Sequence, residues 1–550
     1  MTMDVRRTPT PEVDALVIGC GMAGGALVKR LSDKGIKVVC LEQGKKIHPM
    51  EMPHFSEEWE WHRLRSWNIH PNVRQWPEDY PVVGDDDTSI RVMNAIGGSL
   101  NHWSAHFPRF RPCDFRKGTE HGLAPDWPIS YEDLAPYYDI NQNEMGVAGW
   151  PGDPAYPPRA NAHALPHVPI GKAGRKLAQG FEKLGWHWWY MDNAILTEDH
   201  DGRLGCNHCG ACVLGCPRGS IGNSALSYVP QAIANGADIR PDCRVERIVV
   251  KNGKAVGAEY IDLTTGQRHR QDARIVIVAG NAIGTTRLML LSEQAGHPDG
   301  LANANGQLGR NFMLHQTTLI EGFFDEQLES YKGARGAPLH SQEFYETDPS
   351  RGYVNGFMHL MVRQTGAGWA SVGYSTLDPV PWGADHHDEF AWRMGRHAWL
   401  VGLCEDLPLE TNVVTLDDTV VDSSGLPAPK VHWRAHPQDR LLAQDSIDRG
   451  RQVMEAAGAT RIFDSGVYDQ PPGYHLMGTA RMGDDPETSV TNKWHQTWEV
   501  PNLFICDGSS FVTSAAVNPT PTIGALAVRL ADYLTSEGRS IVSDRATSLA

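Results

Sequence analysis

The chain has 550 residues, 41% of them hydrophobic and 21% charged, the composition of a globular protein long enough for several domains. A formal net charge of −16 argues against nucleic acid as a partner. With a mean hydropathy of −0.38, no apolar run approaches the roughly 18 residues of a membrane span, so an integral membrane protein is not expected.

Residues 1 to 12 read as a flexible lead. They carry paired arginines, but the apolar segment behind them reads as a strand and not as a signal sequence. A cytoplasmic location is therefore expected, or a periplasmic one if the chain is co-exported with a signal-bearing partner. From Val13 to Gln43 an apolar run (Ala15 to Ile18) meets a glycine-rich turn, a helical pattern through Leu27 and Leu31, and a second apolar run (Val38 to Leu41). This is a dinucleotide-binding pattern. Gly19 permits the tight turn, Gly21 lets the backbone approach a pyrophosphate, and Gly24 lets helix and strand pack closely. Glu42 ends the second strand, where a carboxylate would grip a ribose hydroxyl.

Met50 to Pro81 is rich in Trp, His, Pro and Glu without a period, as in a long surface excursion. The stretch Gly97-Gly98-Ser99-Leu100-Asn101-His102 then sets small residues before a histidine, a backbone bare enough for something flat or charged to approach. Ser130-x-x-Asp133 forms a capping pattern for a helix over Trp127 to Val147, expected outside the nucleotide domain. Arg244 to Ile261 reads as a hairpin around Asn252-Gly253. Arg274 to Ser292 repeats the order strand, glycine turn, helix, and its strand would join the same parallel sheet. Residues 316 to 465 read as an antiparallel sheet covering a pocket, to which the many tryptophans and His386-His387-Asp388 are candidate lining residues. In the closing segment Thr520 suits a helix cap and Pro521 the first helical position, so the helix amino end would favour negative charge. Upstream, His475 lies among small residues; a neutral imidazole, with pKa near ~6.5, is the natural base for a hydroxyl proton.

Ten cysteines in so long a chain do not make a disulfide scaffold. Four of them, Cys206, Cys209, Cys212 and Cys216, follow one another at spacings of two, two and three and precede a proline, the ferredoxin pattern in which thiolates on a tight loop wrap an iron–sulfur cube. A zinc knot or metal-free thiols are the alternatives.

The Gly19 motif, the Gly97-Gly98 stretch, the Ala279-Gly280 segment and the ending from His475 to Asn518 resemble, in order and along nearly the whole chain, the glucose-methanol-choline oxidoreductases. The resemblance implies an α/β chain with an FAD-binding Rossmann-like fold, discontinuous over 11–115, 206–315 and 466–540, and an antiparallel substrate-binding domain over 116–205 and 316–465. It implies His475 as the base beside the flavin and Asn518 as the second member of the pair. Asp507 and Gly508 match positions lining the flavin, Val245 an adenine-side contact, and Thr520 opens the helix facing the ring. His102 matches a histidine that is covalently attached to the flavin in some relatives and packs beside it in others. The cysteine run is similar to that of bacterial glucose and gluconate dehydrogenase large subunits, where Cys206, Cys212 and Cys216 match the ligands of a three-iron cluster. Cys209 departs from that pattern, so the cluster is [3Fe-4S] or [4Fe-4S].

The resulting expectation is an FAD-dependent dehydrogenase that oxidises a hydroxyl of a sugar, glycoside or polyol. Its electrons would leave through the cluster to a cytochrome, quinone or carrier protein, with a small partner subunit. The rivals are an oxygen-using long-chain alcohol or sterol oxidase without a cluster, and a redox-inactive flavoprotein lyase.

Overall fold

Why Val13–Ile18 becomes a central strand is plain from what covers it. In the computed structural model, which describes residues 6–48, 51–52, 77–84, 90–363, 367–372, 380–467 and 473–543, Ala15 and Val17 fall in one apolar cluster and Leu16 and Ile18 in another. Alternate side chains of one strand thus feed the two faces of a sheet. The first face is covered by the helices Met22–Asp33 and Thr520–Thr535, through Leu27, Leu31, Leu526 and Leu530; the second is met by Leu288 and Met289 of the helix Asn281–Leu291.

That sheet has seven strands. Val13–Ile18 pairs in parallel with Val38–Leu41 on one side and with Arg268–Val278 on the other, and Asp238–Arg240 and Leu503–Ile505 extend the parallel part. The strand Arg268–Val278 has two roles. Its carboxy-terminal half joins the parallel sheet, while its amino-terminal half pairs antiparallel with the hairpin Cys243–Lys251 and Lys254–Asp262. The hairpin turns at Asn252 (φ 52°) and Gly253 (φ 73°), both left-handed as a two-residue turn with matching twist requires.

A second sheet of six strands runs in the order Arg461–Asp464, Gln316–Phe323, His397–Cys404, Phe357–Met361, Leu339–Ser341, Trp189–Tyr190, with every pairing antiparallel. The helix Pro437–Ala457 lies on it, with Val453 and Met454 packed against Ile320 and Leu400. Not all of 316–465 belongs to this sheet. Val413–Val421, Pro427–His432 and Val83–Gly84 form a separate three-stranded sheet beside the helix Asn281–Leu291. The buried Arg287 holds it there through Asp422 (2.7 Å) and the Pro427 carbonyl (2.7 Å), since a buried guanidinium must be paired.

Two further expectations are corrected. The helix Tyr131–Met145 does carry the capping box, the Ser130 hydroxyl accepting from the Asp133 N–H at 3.1 Å, but it packs on the nucleotide side. Its Tyr138 hydroxyl meets the Thr522 hydroxyl at 2.6 Å, and Asn141 donates to the Pro521 carbonyl at 3.1 Å. His387 and Asp388 lie exposed on the helix Asp385–Arg393, not turned inward as lining residues would be. Most of the Met50 to Pro81 excursion lies outside the described residues.

Candidate active site

The glycine turn does what its spacing requires. At Gly19 (φ 97°) a side chain would be strained and would overlap the Ala279 carbonyl, and a Cβ on Gly24 would run into the Gly19 carbonyl. Gly21 is the opposite case: a Cβ there meets nothing within 4 Å, so the turn leaves open space at the amino end of Met22–Asp33, where an anion is favoured. Gly98 (φ 55°) sits against the Gly21 backbone, and a Cβ there would lie 3.1 Å from its Cα. Gly97 (φ 94°) turns the chain, and Asn101 closes this second turn by donating to the carbonyls of Ile96 (3.0 Å) and Gly98 (2.8 Å). Glu42 is buried, and its two carboxylate oxygens accept from the N–H groups of Cys20 and Gly44, both at 2.8 Å. Burial pushes its carboxyl up to about 7. The acid therefore braces the loop while keeping lone pairs for a further donor.

His475 has φ of 64°, in the left-handed region that non-glycine residues rarely occupy, as strained residues at functional sites do. The segment behind it is bridged to another part of the chain: Met313 and Met477 exchange both backbone hydrogen bonds, at 2.9 and 3.1 Å. An antiparallel register of 313 with 477 sets residue 315 opposite residue 475. The two imidazoles meet there, Nδ1 to Nδ1 at 2.8 Å. The remaining nitrogen of His315 lies 2.7 Å from the Ala515 carbonyl, and Nε2 of His475 lies 3.2 Å from the Asn518 amide nitrogen. Burial, with the nearby His315 and His106, pushes His475 well below the usual imidazole value. Burial also lowers His315 and His106 to about 4 each. Among the described residues, His106 Nε2 and Asn518 Oδ1 are buried without a hydrogen-bond partner. A cluster of a neutral imidazole pair, an amide and a third imidazole can accept a proton and orient a hydroxyl.

Sequence reasoning found His475 and Asn518 and missed His315 and His106. No local motif marks either. His315 stands directly before the strand Gln316–Phe323 in an apolar stretch, and only the bridge to Met477 gives it meaning.

The other candidates are placed as follows. Asp507 is buried, and its carboxylate accepts from the N–H groups of Asn281 (3.0 Å) and Ser509 (2.8 Å) and the Thr285 hydroxyl (2.6 Å), pinning the start of Asn281–Leu291. Gly508 touches the His475 segment, its carbonyl accepting from the Gly478 N–H at 3.0 Å. Val245 is partly buried in the outer strand of the hairpin. Thr520 is not the cap: the helix starts at Thr520 itself, one residue earlier than expected, after Pro519. Pro519 already has helical angles (φ −77°, ψ −16°), so the ring pre-sets the first turn. Asn518 therefore lies two residues ahead of that helix.

The cysteine loop is folded tightly by left-handed His208 (φ 61°), Gly210 (φ 79°) and Gly215 (φ 96°). Cys212 is buried and Cys209 exposed, while Cys206 and Cys216 lie between these extremes. Burial and the three other thiols push Cys212 well up, and the Cys206 sulfur accepts from the His208 N–H at 3.3 Å. The turn Cys212–Leu214 packs on Gly98–His102. There burial takes His102 down to about 4 against a bond to the Val213 backbone.

Among the described residues, one trio of His, Cys, Asp or Glu ligand atoms lies within 4.8 Å of one another: Asp153, His187 and His340. Its hydrogen bonds speak against a metal. His187 Nδ1 accepts from the Gln342 N–H at 3.0 Å, which leaves its proton on Nε2, donated to Asp153 at 2.9 Å. A metal on Nε2 would force that proton onto Nδ1, against the Gln342 N–H. Hydrogen bonds from His187 and His340 outweigh burial and hold the Asp153 carboxyl well below the usual range.

Comparison with known proteins fits this arrangement. The amino-terminal part of the GMC oxidoreductase family matches residues 162–317 and its carboxy-terminal part residues 408–527. The chain is 51% identical over 543 residues to the 2-methyl-1,2-propanediol dehydrogenase of Mycolicibacterium austroafricanum, covering 98% of each. It is 27% identical to the fructose dehydrogenase large subunit of Gluconobacter japonicus, over 96% of this chain and 98% of that one. Among solved structures, a formate oxidase variant from Aspergillus oryzae RIB40 superposes with a TM-score of 0.68 at 15% identity, over 97% of this chain and 100% of that one. A glycine turn with open space at its anion end, a buried imidazole–amide pair and family matches on both halves lead to one conclusion: the chain belongs to the GMC oxidoreductase family and is an FAD-dependent oxidoreductase acting on CH–OH groups.

Proposed function

We propose that this chain is a dehydrogenase for a small polyol, with His475 as the base that takes the hydroxyl proton. The 51%-identical relative points to a 1,2-diol within the wider class of sugars, glycosides and polyols. The observation that carries the proposal is the imidazole at 475, held neutral by burial, with its Nε2 beside the Asn518 amide at 3.2 Å. A base must be unprotonated at the working pH and within hydrogen-bond reach of the proton it removes.

The residues fit FAD. Gly19, Gly21, Gly24, Gly97 and Gly98 leave a cradle that a side chain at Gly21 would enter, and Glu42 keeps lone pairs for a ribose hydroxyl. FAD supplies an acceptor for the carbinol hydride. His475 receives the hydroxyl proton on Nε2, while the Asn518 amide, released from the imidazole, donates to the substrate oxygen. His106 offers a buried nitrogen beside them for a second hydroxyl.

For the electron outlet we propose an iron–sulfur cluster on Cys206, Cys209, Cys212 and Cys216. Cys212 and the three thiols acting on it, one of which already accepts an N–H···S bond, form a soft donor set. The turn Cys212–Leu214 rests on the His102 segment, which puts the loop beside the cofactor cradle.

The test is an absorption and EPR spectrum of anaerobically purified protein before and after adding 1,2-diols, sugars and simple alcohols. Flavin bleaching by a diol together with an iron signal supports the reading. A second reading, an oxygen-using oxidase, draws on the 27%-identical paromamine 6′-oxidase of Streptomyces fradiae. Stoichiometric peroxide and no iron would favour it.

A further inference from the structure

We infer that His315 is a positioning residue: it fixes the proton of His475 on Nδ1 and so presents a bare Nε2 lone pair to the substrate hydroxyl. The inference rests on the proposed reading of His475 as the base. It follows from the direction each hydrogen bond must take. The Ala515 carbonyl only accepts, so the proton of His315 lies on Nε2, 2.7 Å from it. His315 is fully buried and neutral, which leaves a lone pair on its Nδ1. The 2.8 Å contact to Nδ1 of His475 then requires that nitrogen to donate. Nε2 of His475 is left as an acceptor, and the Asn518 amide nitrogen donates to it at 3.2 Å. The chain from Ala515 to Asn518 is consistent in one direction only.

The backbone is arranged for this relay. Ala515 has φ of 55°, and His475 of 64°. The Ser514 hydroxyl accepts from the Asp406 N–H and donates to the Asp406 carbonyl, both at 2.9 Å, which anchors the segment that offers the Ala515 carbonyl. The charged or titratable groups acting on His475 are His315 and His106, both imidazoles, and the Tyr474 ring packs against it edge-on, 4.9 Å between centroids. Among the described residues no carboxylate acts on it. As the hydroxyl proton reaches Nε2, the growing charge on the ring strengthens the Nδ1–H bond to His315, and a neutral acceptor does this without holding the proton as tightly as a carboxylate would.

Two variants separate positioning from packing. Leucine at 315 removes the acceptor. Glutamine can accept from Nδ1–H through its oxygen and donate to the Ala515 carbonyl through its nitrogen. In anaerobic mixing of the flavin-loaded protein with a 1,2-diol, His315→Leu is expected to lower the limiting rate of flavin reduction on the order of 100-fold, with half-saturation little changed. His315→Gln should recover the rate to within about tenfold of the parent. Independently of turnover, ¹⁵N spectra of the histidine rings, assigned by His475→Asn, should show His475 protonated on Nδ1. Wild-type rates in His315→Leu, or a His475 proton on Nε2, would overturn the inference. If the ¹⁵N spectra show Nδ1–H but no alcohol bleaches the parent flavin, the positioning stands and the proposed function falls.

Discussion

The glycine turn at 19–24 and the imidazole site at 475 bind the same chemistry to the fold in opposite ways. The turn is local: three glycines, two strands and one helix within about thirty residues, each glycine accounted for by a clash or by open space next to it. The imidazole site is assembled from residues 106, 315, 475, 515 and 518, brought together by the bridges of Met313 to Met477 and of His106 to Asn193 and by the start of the helix Thr520–Thr535. A local site should fail through backbone sterics. An assembled one should fail through protons and hydrogen bonds while the fold survives.

The largest contrast lies within the turn. Gly24→Val drives a side chain into the Gly19 carbonyl and is expected to yield little folded flavoprotein, a cost above about 3 kcal/mol. Gly21→Ala, with nothing within 4 Å of its Cβ, should melt like the parent without flavin and yet hold flavin poorly. Thermal melting of the apoprotein and flavin retention on gel filtration check both. If Gly21→Ala keeps full flavin affinity, the open space is not the cradle.

In the assembled site, His475→Asn should keep flavin and melting temperature while flavin reduction slows by about 10²- to 10⁴-fold. Asn518→Ala removes one donor and should cost about 10- to 100-fold, equivalent to roughly 1–3 kcal/mol for a lost buried hydrogen bond. Stopped-flow bleaching measures both. Equal losses from the two would contradict the separate roles given to imidazole and amide.

The cysteine loop should uncouple the two electron steps. Cys212→Ser is expected to abolish the EPR signal and the iron content and to slow transfer to a one-electron acceptor, while flavin reduction by substrate stays within about twofold. Unchanged acceptor turnover without iron would remove the cluster from the path.

The mildest effect concerns pH. His102, His106 and His315 are pushed from the usual imidazole value to about 4 by burial. Between about 6.5 and 4 the unfolded chain binds more protons than the folded one, so stability should fall as pH falls through that window and level off below it. Urea midpoints at pH 7, 5.5 and 4.5 would show the slope, and a flat series would show these imidazoles to be open to solvent.

Much of the turn could be read from the sequence because its rules act over a few residues. Glycine spacing, the Asn252-Gly253 hairpin and the Ser130–Asp133 box are backbone sterics and short hydrogen bonds written into neighbouring positions. His475 stands out locally only as a histidine among small residues, one of 24 histidines, and resemblance alone gave it a role and supplied Asn518. His315 was missed because its partner is 160 residues away, and strand register between distant segments leaves no periodic trace. The same limit explains the helix Tyr131–Met145, whose cap is legible but whose docking partner at Thr522 is not, and the sheet around Val413–Val421, recruited by the buried Arg287.

The most direct measurement is anaerobic mixing of the parent and His475→Asn with a 1,2-diol while following the flavin band. The expected result is rapid bleaching in the parent and a persistent yellow, flavin-loaded variant. Bleaching of His475→Asn at the parent rate would contradict the assignment of the hydroxyl proton to His475.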